Sequence, residues 1–312
     1  MELIRGLHNI RERHRGCVCT IGAFDGVHLG HRAVLTELME QGRARELPST
    51  VIVFEPLPRE FFAPKEAPSR LMSFHEKALA LEAIGIDRLL LVKFDETFTR
   101  TSAEGFIERI FVEGLSAKFV MVGDDLRFGQ GRRGDFEMLC DAGRTFGFDV
   151  ARSPTIEIDN ERVSSTRLRS VLEAGDFELA ERLLGRPYTI SGKVVYGRQL
   201  GRTIGSPTAN MELYRLRAPL SGVYLVEVHG IADQPWPGVA NVGVRPTVND
   251  SIKANLEVHL LDFEGDLYGK RIEVEFKSQL REEKRFESID ALSDQIQRDI
   301  GQARQYFTSR EH

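Results

Sequence analysis

The hydrophobic grammar of the chain changes once, near residue 186, and that change constrains its architecture more than any single motif. Upstream, the apolar runs "CVCTIGAF", "STVIVFEP", "RLLLVKF" and "FVMVGDD" alternate with helical patterns that start near His31, Ser73 and Ser102. Apolar runs separated by helices are expected of parallel strands joined by βαβ crossovers, because such a sheet is covered on both faces. The first half is therefore read as a doubly wound, Rossmann-like α/β domain. From Tyr188 onward, "YTISGKVVYG", "GVYLVEVHG", "GVANVGV", "NLEVHLLDF" and "RIEVEFKSQL" follow period two, with glycine-bearing turns. Strands without intervening helices predict a small antiparallel β-barrel or sandwich, followed by a C-terminal helix in "SIDALSDQIQRDIGQARQYF". Between the halves, "VSSTRLRSVLEAGDFELAERLLG" reads as two short helices, the first capped by Ser164 or Ser165. The expected domains are residues 1–185 and 186–312.

A chain of 312 residues can bury two such cores. No apolar run approaches bilayer length, and "MELIRGLHNIRERHRG" lacks the apolar centre of a secretion signal, so a cytoplasmic protein without a membrane partner is expected. The three cysteines are too few, and odd in number, for a disulfide framework. Cys17 and Cys19 alternate along the first apolar run and read as buried strand residues rather than as a metal pair. A net charge of −5 argues against nucleic acid as a partner and leaves small molecules, with at most weak self-association.

The run "TIGAFDGVHLGHRAVL" hands a buried strand over to a helix through Gly22, Phe24, Gly26 and Gly30, with His28 and His31 three residues apart. Ligands of open parallel sheets bind at the carboxyl ends of strands. Glycines there admit a phosphate to the backbone, and a helix start turns N–H groups and partial positive charge towards it. The two histidines share one side of the first turn, where their ring N–H groups can serve phosphate oxygens. Zinc binding and plain helix capping stay open as other readings of the pair, although no third ligand stands at zinc-like spacing. The chain has neither a dinucleotide fingerprint nor a "GxxxxGK[ST]" loop.

In the second half, Gly197, Gly201 and Gly205 lead into "SPTAN". In an extended segment Thr208 and Asn210 present their oxygens on one face, a donor set suited to a hard cation; an ordinary polar turn is the plainer reading. Within "NLEVHLLDF", Leu256, Val258 and Leu260 share one face while Glu257 and His259 point the other way.

These residues carry a resemblance. "GAFDGVHLGH" resembles the HxGH signature of nucleotidyltransferases. Together with "FEPLPREFF", "VGDDLRFGQGRRGDFE", "SSTRLR", "GRPYTISGKVVYG", "GRTIGSPTAN", "NVGVRPTV" and "LEVHLLDFEGDLYGKRIEVEF", in that order, the whole chain resembles the bacterial bifunctional riboflavin kinase/FAD synthetases. The resemblance implies a nucleotidyltransferase-like first domain that transfers AMP from ATP to FMN, and a second domain that phosphorylates riboflavin. It further implies ATP as co-substrate, Mg²⁺, and riboflavin, FMN and FAD as substrate or product. His28 and His31 would serve the ATP phosphates, with Gly22, Phe24, Gly26, Asp125, Ser164, Thr166 and Arg167 around the nucleotide. Phe54, Pro56 and Pro58 would line a flavin pocket, with Phe61 or Phe62 also able to pack on the ring. In the kinase, Gly201 and Gly205 would contact ATP, Thr208 and Asn210 would hold the metal, and Glu257 would be the general base.

The chain departs from the family pattern at Ala23 and Asp125, where asparagine is common, and at Ser206. The rival readings are therefore a riboflavin kinase with an impaired adenylyltransferase domain, a non-catalytic flavin-nucleotide sensor, and an adenylyltransferase for another acceptor.

Overall fold

The computed structural model describes residues 1–196, 207–246 and 252–309. They form two compact units, one of residues 1–68 and 74–164, the other of residues 69–73 and 165 onward. The helices predicted between the halves thus pack with the barrel, and a five-residue piece of the first half joins them.

The first unit holds β1 (Glu2–Arg5), β2 (Val18–Ile21), β3 (Ser49–Glu55), β4 (Arg88–Lys93), β5 (Phe119–Val122) and β6 (Asp149–Arg152), all parallel, in the order β1-β4-β3-β2-β5-β6. The chain leaves β2 in one direction through β3 and β4, then crosses back to β5 on its other side. The mouth between β2 and β5 is therefore the switch point of the sheet, where ligands of such folds bind. β1 comes from the charged N-terminal stretch, where four residues beside a polar segment carry too little periodicity to declare a strand. The main crossover helices are α1 (Leu29–Arg45), α3 (Phe74–Ile84) and α6 (Phe136–Phe146), while α2 (Pro58–Phe62), α4 (Glu96–Thr99) and α5 (Ala103–Ile107) are short. Cys17 and Cys19 are fully buried with Ile52, Leu90, Val120 and Phe111 in the core, as the alternation predicted.

The second unit is a closed barrel rather than a sandwich. Its strands are β9 (Thr189–Val195), β10 (Ala209–Glu212), β11 (Gly222–His229), β12 (Trp236–Pro246), β13 (Ile252–Leu260) and β14 (Arg271–Arg281), ordered β10-β13-β12-β11-β14-β9 with every pair antiparallel. A short hairpin, β7 (Glu157–Ile158) with β8 (Glu161–Arg162), precedes α7 (Ser165–Glu173) and α8 (Phe177–Leu184). The C-terminal helix, Ile289–Thr308, covers Val223, Leu225 and Val239 with Ile300 and Ala303. It is tied down by Arg281, whose guanidinium donates to the buried carboxylate of Asp299 at 2.8 to 3.2 Å.

Two features explain why the second unit reaches back to residue 165 and borrows residues 69–73. Phe177 of α8 stacks on Phe276 with ring centroids 6.2 Å apart and meets Tyr224 edge-on at 5.9 Å. Buried Arg215 donates to the carbonyls of Arg70 and Leu71, and the Tyr188 hydroxyl donates to Leu71 as well. Phe177→Ala should therefore destabilise the second unit by about 3 kcal/mol, the usual loss for a buried aromatic. A matching drop in the thermal unfolding midpoint, followed by circular dichroism, checks this; an unchanged midpoint would show that α8 is not part of the cooperative unit.

Candidate active sites

The first site lies at the switch point. β2 ends at Ile21, and the loop that follows turns through left-handed backbone at Phe24 (φ 46°), Gly26 (φ 89°) and Val27 (φ 43°). Two of these are non-glycine residues in a sparsely populated region, strain that a packed surround must hold. Phe24, Asp25 and Val27 are correspondingly buried. Helix α1 begins at Leu29, earlier than the His31 start read from the sequence, because His28 is its N-cap: His28 Nδ1 accepts the backbone N–H of His31 at 3.2 Å. An accepting Nδ1 puts the proton of His28 on Nε2. The two imidazoles stack with centroids 3.7 Å apart and planes 15° off parallel, and Phe24 leans on His31 at 5.0 Å. Gly30 is needed between them, since a Cβ there would stand 3.1 Å from the Val163 carbonyl and 3.2 Å from the His28 ring.

Burial holds the His31 pKa well below the ordinary value, with the neighbouring His28 and Lys77 pushing the same way, and its buried Nδ1 has no hydrogen-bond partner among the described residues. Folded His31 is thus neutral where an unfolded histidine, near 6.5, begins to protonate. The unfolded state then takes up protons that the folded state refuses, so the His31 contribution is fully present above pH 6.5 and declines as pH falls below it. His31→Gln should flatten this part of the stability profile between about pH 5 and 7, measured by denaturant unfolding. A profile equally steep in the variant would contradict it.

Beside this turn is a cavity of about 670 Å³, lined by Ile21, Phe54, Pro58, Phe62, Phe94, Phe98, Phe106, Phe128 and the cations Arg59, Arg127 and Arg132, among others. Its walls come from the carboxyl ends of β2 to β5, and its size suits a fused-ring ligand. Of the flavin residues expected from sequence, Phe54 and Pro58 line it and Pro56, exposed, does not. Phe62 lines it while Phe61 backs Phe94 edge-on at 5.5 Å. Phe94, Phe98, Phe106 and Phe128 escaped the sequence reading, since they are scattered over 35 positions and only the sheet brings them together. Gly129, Gly131 and Arg132 of "GQGRR" also line this cavity.

Around the nucleotide positions, Asp125 is exposed just past β5, where a Cβ on Gly123 would meet its Oδ1 at 3.1 Å. Gly22 makes room for the Phe24 ring, which would stand 3.1 Å from a Cβ at that position. Ser164 follows the Val163 carbonyl that stands against Gly30. Thr166 and Arg167 occupy the first turn of α7, and Ser165 is already helical, so of the two proposed capping serines only Ser164 precedes the helix.

The second site is a row across the barrel. Asn210 on β10 and Asn241 on β12 both stand directly opposite Glu257 on β13. Directly opposed residues share one face of the sheet. Asn210 is 5% exposed, its Nδ2 donates to the Thr208 carbonyl at 3.5 Å, and Asn255 Nδ2 donates to Glu257 Oε1 at 3.1 Å. Leu256, Val258 and Leu260 are buried on the opposite face, as the alternation required. Ala209 and Asn210 are therefore strand, with Thr208 immediately before it, rather than a turn. Thr208 also lines a small pocket of about 80 Å³ with Pro207, Phe263, Asp266 and Tyr268, and Tyr268 stacks on Tyr196 at 3.8 Å. His259 accompanies the row through its Nδ1, 2.9 Å from the Pro207 carbonyl. Gly201, Gly205 and Ser206 lie outside the described residues.

Comparison with known proteins finds a separate family match for each half of the chain. Residues 10–167 match the family model for FAD synthetase and residues 184–307 that for riboflavin kinase. A bifunctional riboflavin kinase/FMN adenylyltransferase of Pseudomonas fluorescens is 53% identical over 97% of both chains, and that of Escherichia coli K12 is 51% identical over 98% of both. A solved structure described as a macrolide-efflux protein from Streptococcus pneumoniae superposes with a TM-score of 0.76 at 30% identity, covering 97% of this chain and 99% of its own. That description concerns the other protein; among the described residues here, no helix is long and apolar enough to cross a membrane. With both halves matched by family models and relatives aligned nearly end to end, this chain belongs to the bifunctional riboflavin kinase/FMN adenylyltransferase family.

Proposed function

We propose that the barrel row Asn210–Glu257–Asn241 is the kinase centre and the stacked pair His28/His31 the adenylyltransferase centre of a bifunctional enzyme that converts riboflavin to FMN and FMN to FAD. Catalytic residues divide at 185/186 even though the packing unit of the barrel extends back to 165. The observation that carries the reading is the placement of Glu257 directly across from Asn210, which joins base and metal-side residues from segments 47 positions apart.

In the kinase, Glu257 takes the proton of the terminal ribityl hydroxyl as that oxygen attacks the γ-phosphorus of ATP. The bond from the γ-phosphorus to the β–γ bridging oxygen breaks, and ADP leaves. Thr208 and Asn210 offer a hydroxyl and an amide oxygen, hard donors that fit Mg²⁺. When bound, the ion would offset phosphate charge. Gly201 and Gly205 are assigned to the same ATP from the family motif.

In the adenylyltransferase, an oxygen of the FMN phosphate attacks the α-phosphorus of a second ATP and pyrophosphate departs. His28, through Nε2–H, and His31 stabilise the charge that collects on the phosphates, beside the N-terminus of α1. Gly22 and Gly26 keep the backbone approachable, while Phe24 braces His31. Asp125 and Ser164 are assigned to the nucleotide at the same sheet edge, and Thr166 and Arg167 to it on the motif they match. The aromatic cavity takes the isoalloxazine ring, with Phe54 and Pro58 on its wall, and Arg59, Arg127 and Arg132 are placed to receive a flavin phosphate.

Partners are thus the small molecules themselves. Reduced thiols at Cys17, Cys19 and Cys140 favour a cytoplasmic setting. Incubation with riboflavin, ATP and magnesium, followed by chromatography, should give FMN and then FAD. FMN accumulating without FAD would identify an impaired first site, and tight flavin binding without turnover a sensor. Removing magnesium with a chelator should stop FMN formation.

A further inference from the structure

We propose that Asn241 is a substrate-contacting residue of the kinase, whose amide oxygen accepts a hydrogen bond from the ribityl hydroxyl next to the one that Glu257 deprotonates. The inference rests on the reading of Glu257 as the base. Asn241 faces Glu257 from β12 as Asn210 does from β10, so the carboxylate has an amide on either flank. Asn255 already donates to Glu257 Oε1. The Oδ1 of Asn241, by contrast, is buried and has no hydrogen-bond partner among the described residues. A buried acceptor left without a donor is costly and calls for an explanation, such as a ligand that supplies the donor.

The surroundings argue against a packing role. Val239, two residues earlier on the same face of β12, and Val223, directly opposite on β11, are buried in the apolar cluster beneath the C-terminal helix. Valine or leucine would continue that cluster at 241 without a polar penalty. On the other side the strip is polar: at Gly243, which pairs with Asn255, a Cβ would stand 2.7 Å from Glu283 Oε1. Asn241 therefore marks the border between packed and polar surface, next to the reacting carboxylate. A donor that arrives together with the terminal hydroxyl, one carbon further along, is the second hydroxyl of a vicinal diol. The polyol would then be held at two points, and its terminal oxygen aimed rather than merely admitted.

Kinase kinetics of the full chain on riboflavin, and on riboflavin lacking the hydroxyl next to the terminal one, test this. The unmodified protein should prefer riboflavin by about thirtyfold in kcat/KM. Asn241→Leu should lose about that factor on riboflavin, stay within about threefold on the deoxy substrate, and leave FAD formation from supplied FMN unchanged. Discrimination below about threefold by the unmodified protein, or an equal loss on both substrates in the variant, overturns the proposal. The first of these measurements decides even where the leucine variant does not fold. Full turnover in Glu257→Gln would overturn the base assignment and this inference with it, whereas a normal loss there beside an unselective Asn241→Leu overturns the inference alone.

Discussion

Replacing Glu257 with alanine is expected to lower FMN formation from riboflavin by about three orders of magnitude, within the range that a positioned general base supplies. FAD formation from supplied FMN should remain near normal. The separation follows from architecture: Glu257 sits on β13 of the barrel, whereas the stacked histidines sit at the start of α1 in the other unit. Riboflavin and FMN should each be incubated separately with ATP, and the products quantified. Equal loss of both conversions would mean that the two centres are not independent. Glu257 also accepts from Asn255, and the alanine variant frees that neutral amide.

His28→Ala should do the reverse, cutting FAD formation by about two to three orders of magnitude, the usual loss on removing a donor to developing charge. FMN formation should be untouched. Two effects are mixed in this variant, because His28 is also the N-cap of α1, and loss of a cap costs about 1 kcal/mol. His28→Asn separates them. Asparagine restores the cap but not the imidazole, so stability should return while FAD synthesis does not. Recovery of FAD synthesis by asparagine would show that His28 acts only by shaping the helix start.

The change of fold class along the chain and the local placing of the proposed site residues were legible in the sequence for definite reasons. Parallel strands buried on both faces must be apolar throughout, so β2 to β5 announce themselves; barrel strands alternate, so Leu256, Val258 and Leu260 separate from Glu257 without any coordinates. The spacing of His28 and His31 places them on one helical turn, a local matter. The aromatic cavity was much less legible. Phe94, Phe98, Phe106 and Phe128 belong to different segments, and the sequence offers no periodicity that joins them. Pro56 shows the opposite case, a motif residue two positions from Pro58 that is exposed and stands outside the cavity lining. Asn241 went unnoticed because its significance lies wholly in its register against Glu257.

Local chemistry written along the chain determined the two fold classes, the helix start that holds His28 and His31 and the alternating face that carries Glu257, since each depends on residues within a few positions of one another. Tertiary structure alone decided that the barrel closes, that residues 69–73 and 165–184 pack with it, that phenylalanines from four segments meet in one cavity, and that two asparagines flank one carboxylate. Those outcomes depend on strand order and register, which are set by long-range packing rather than by the residues on either side of a given position.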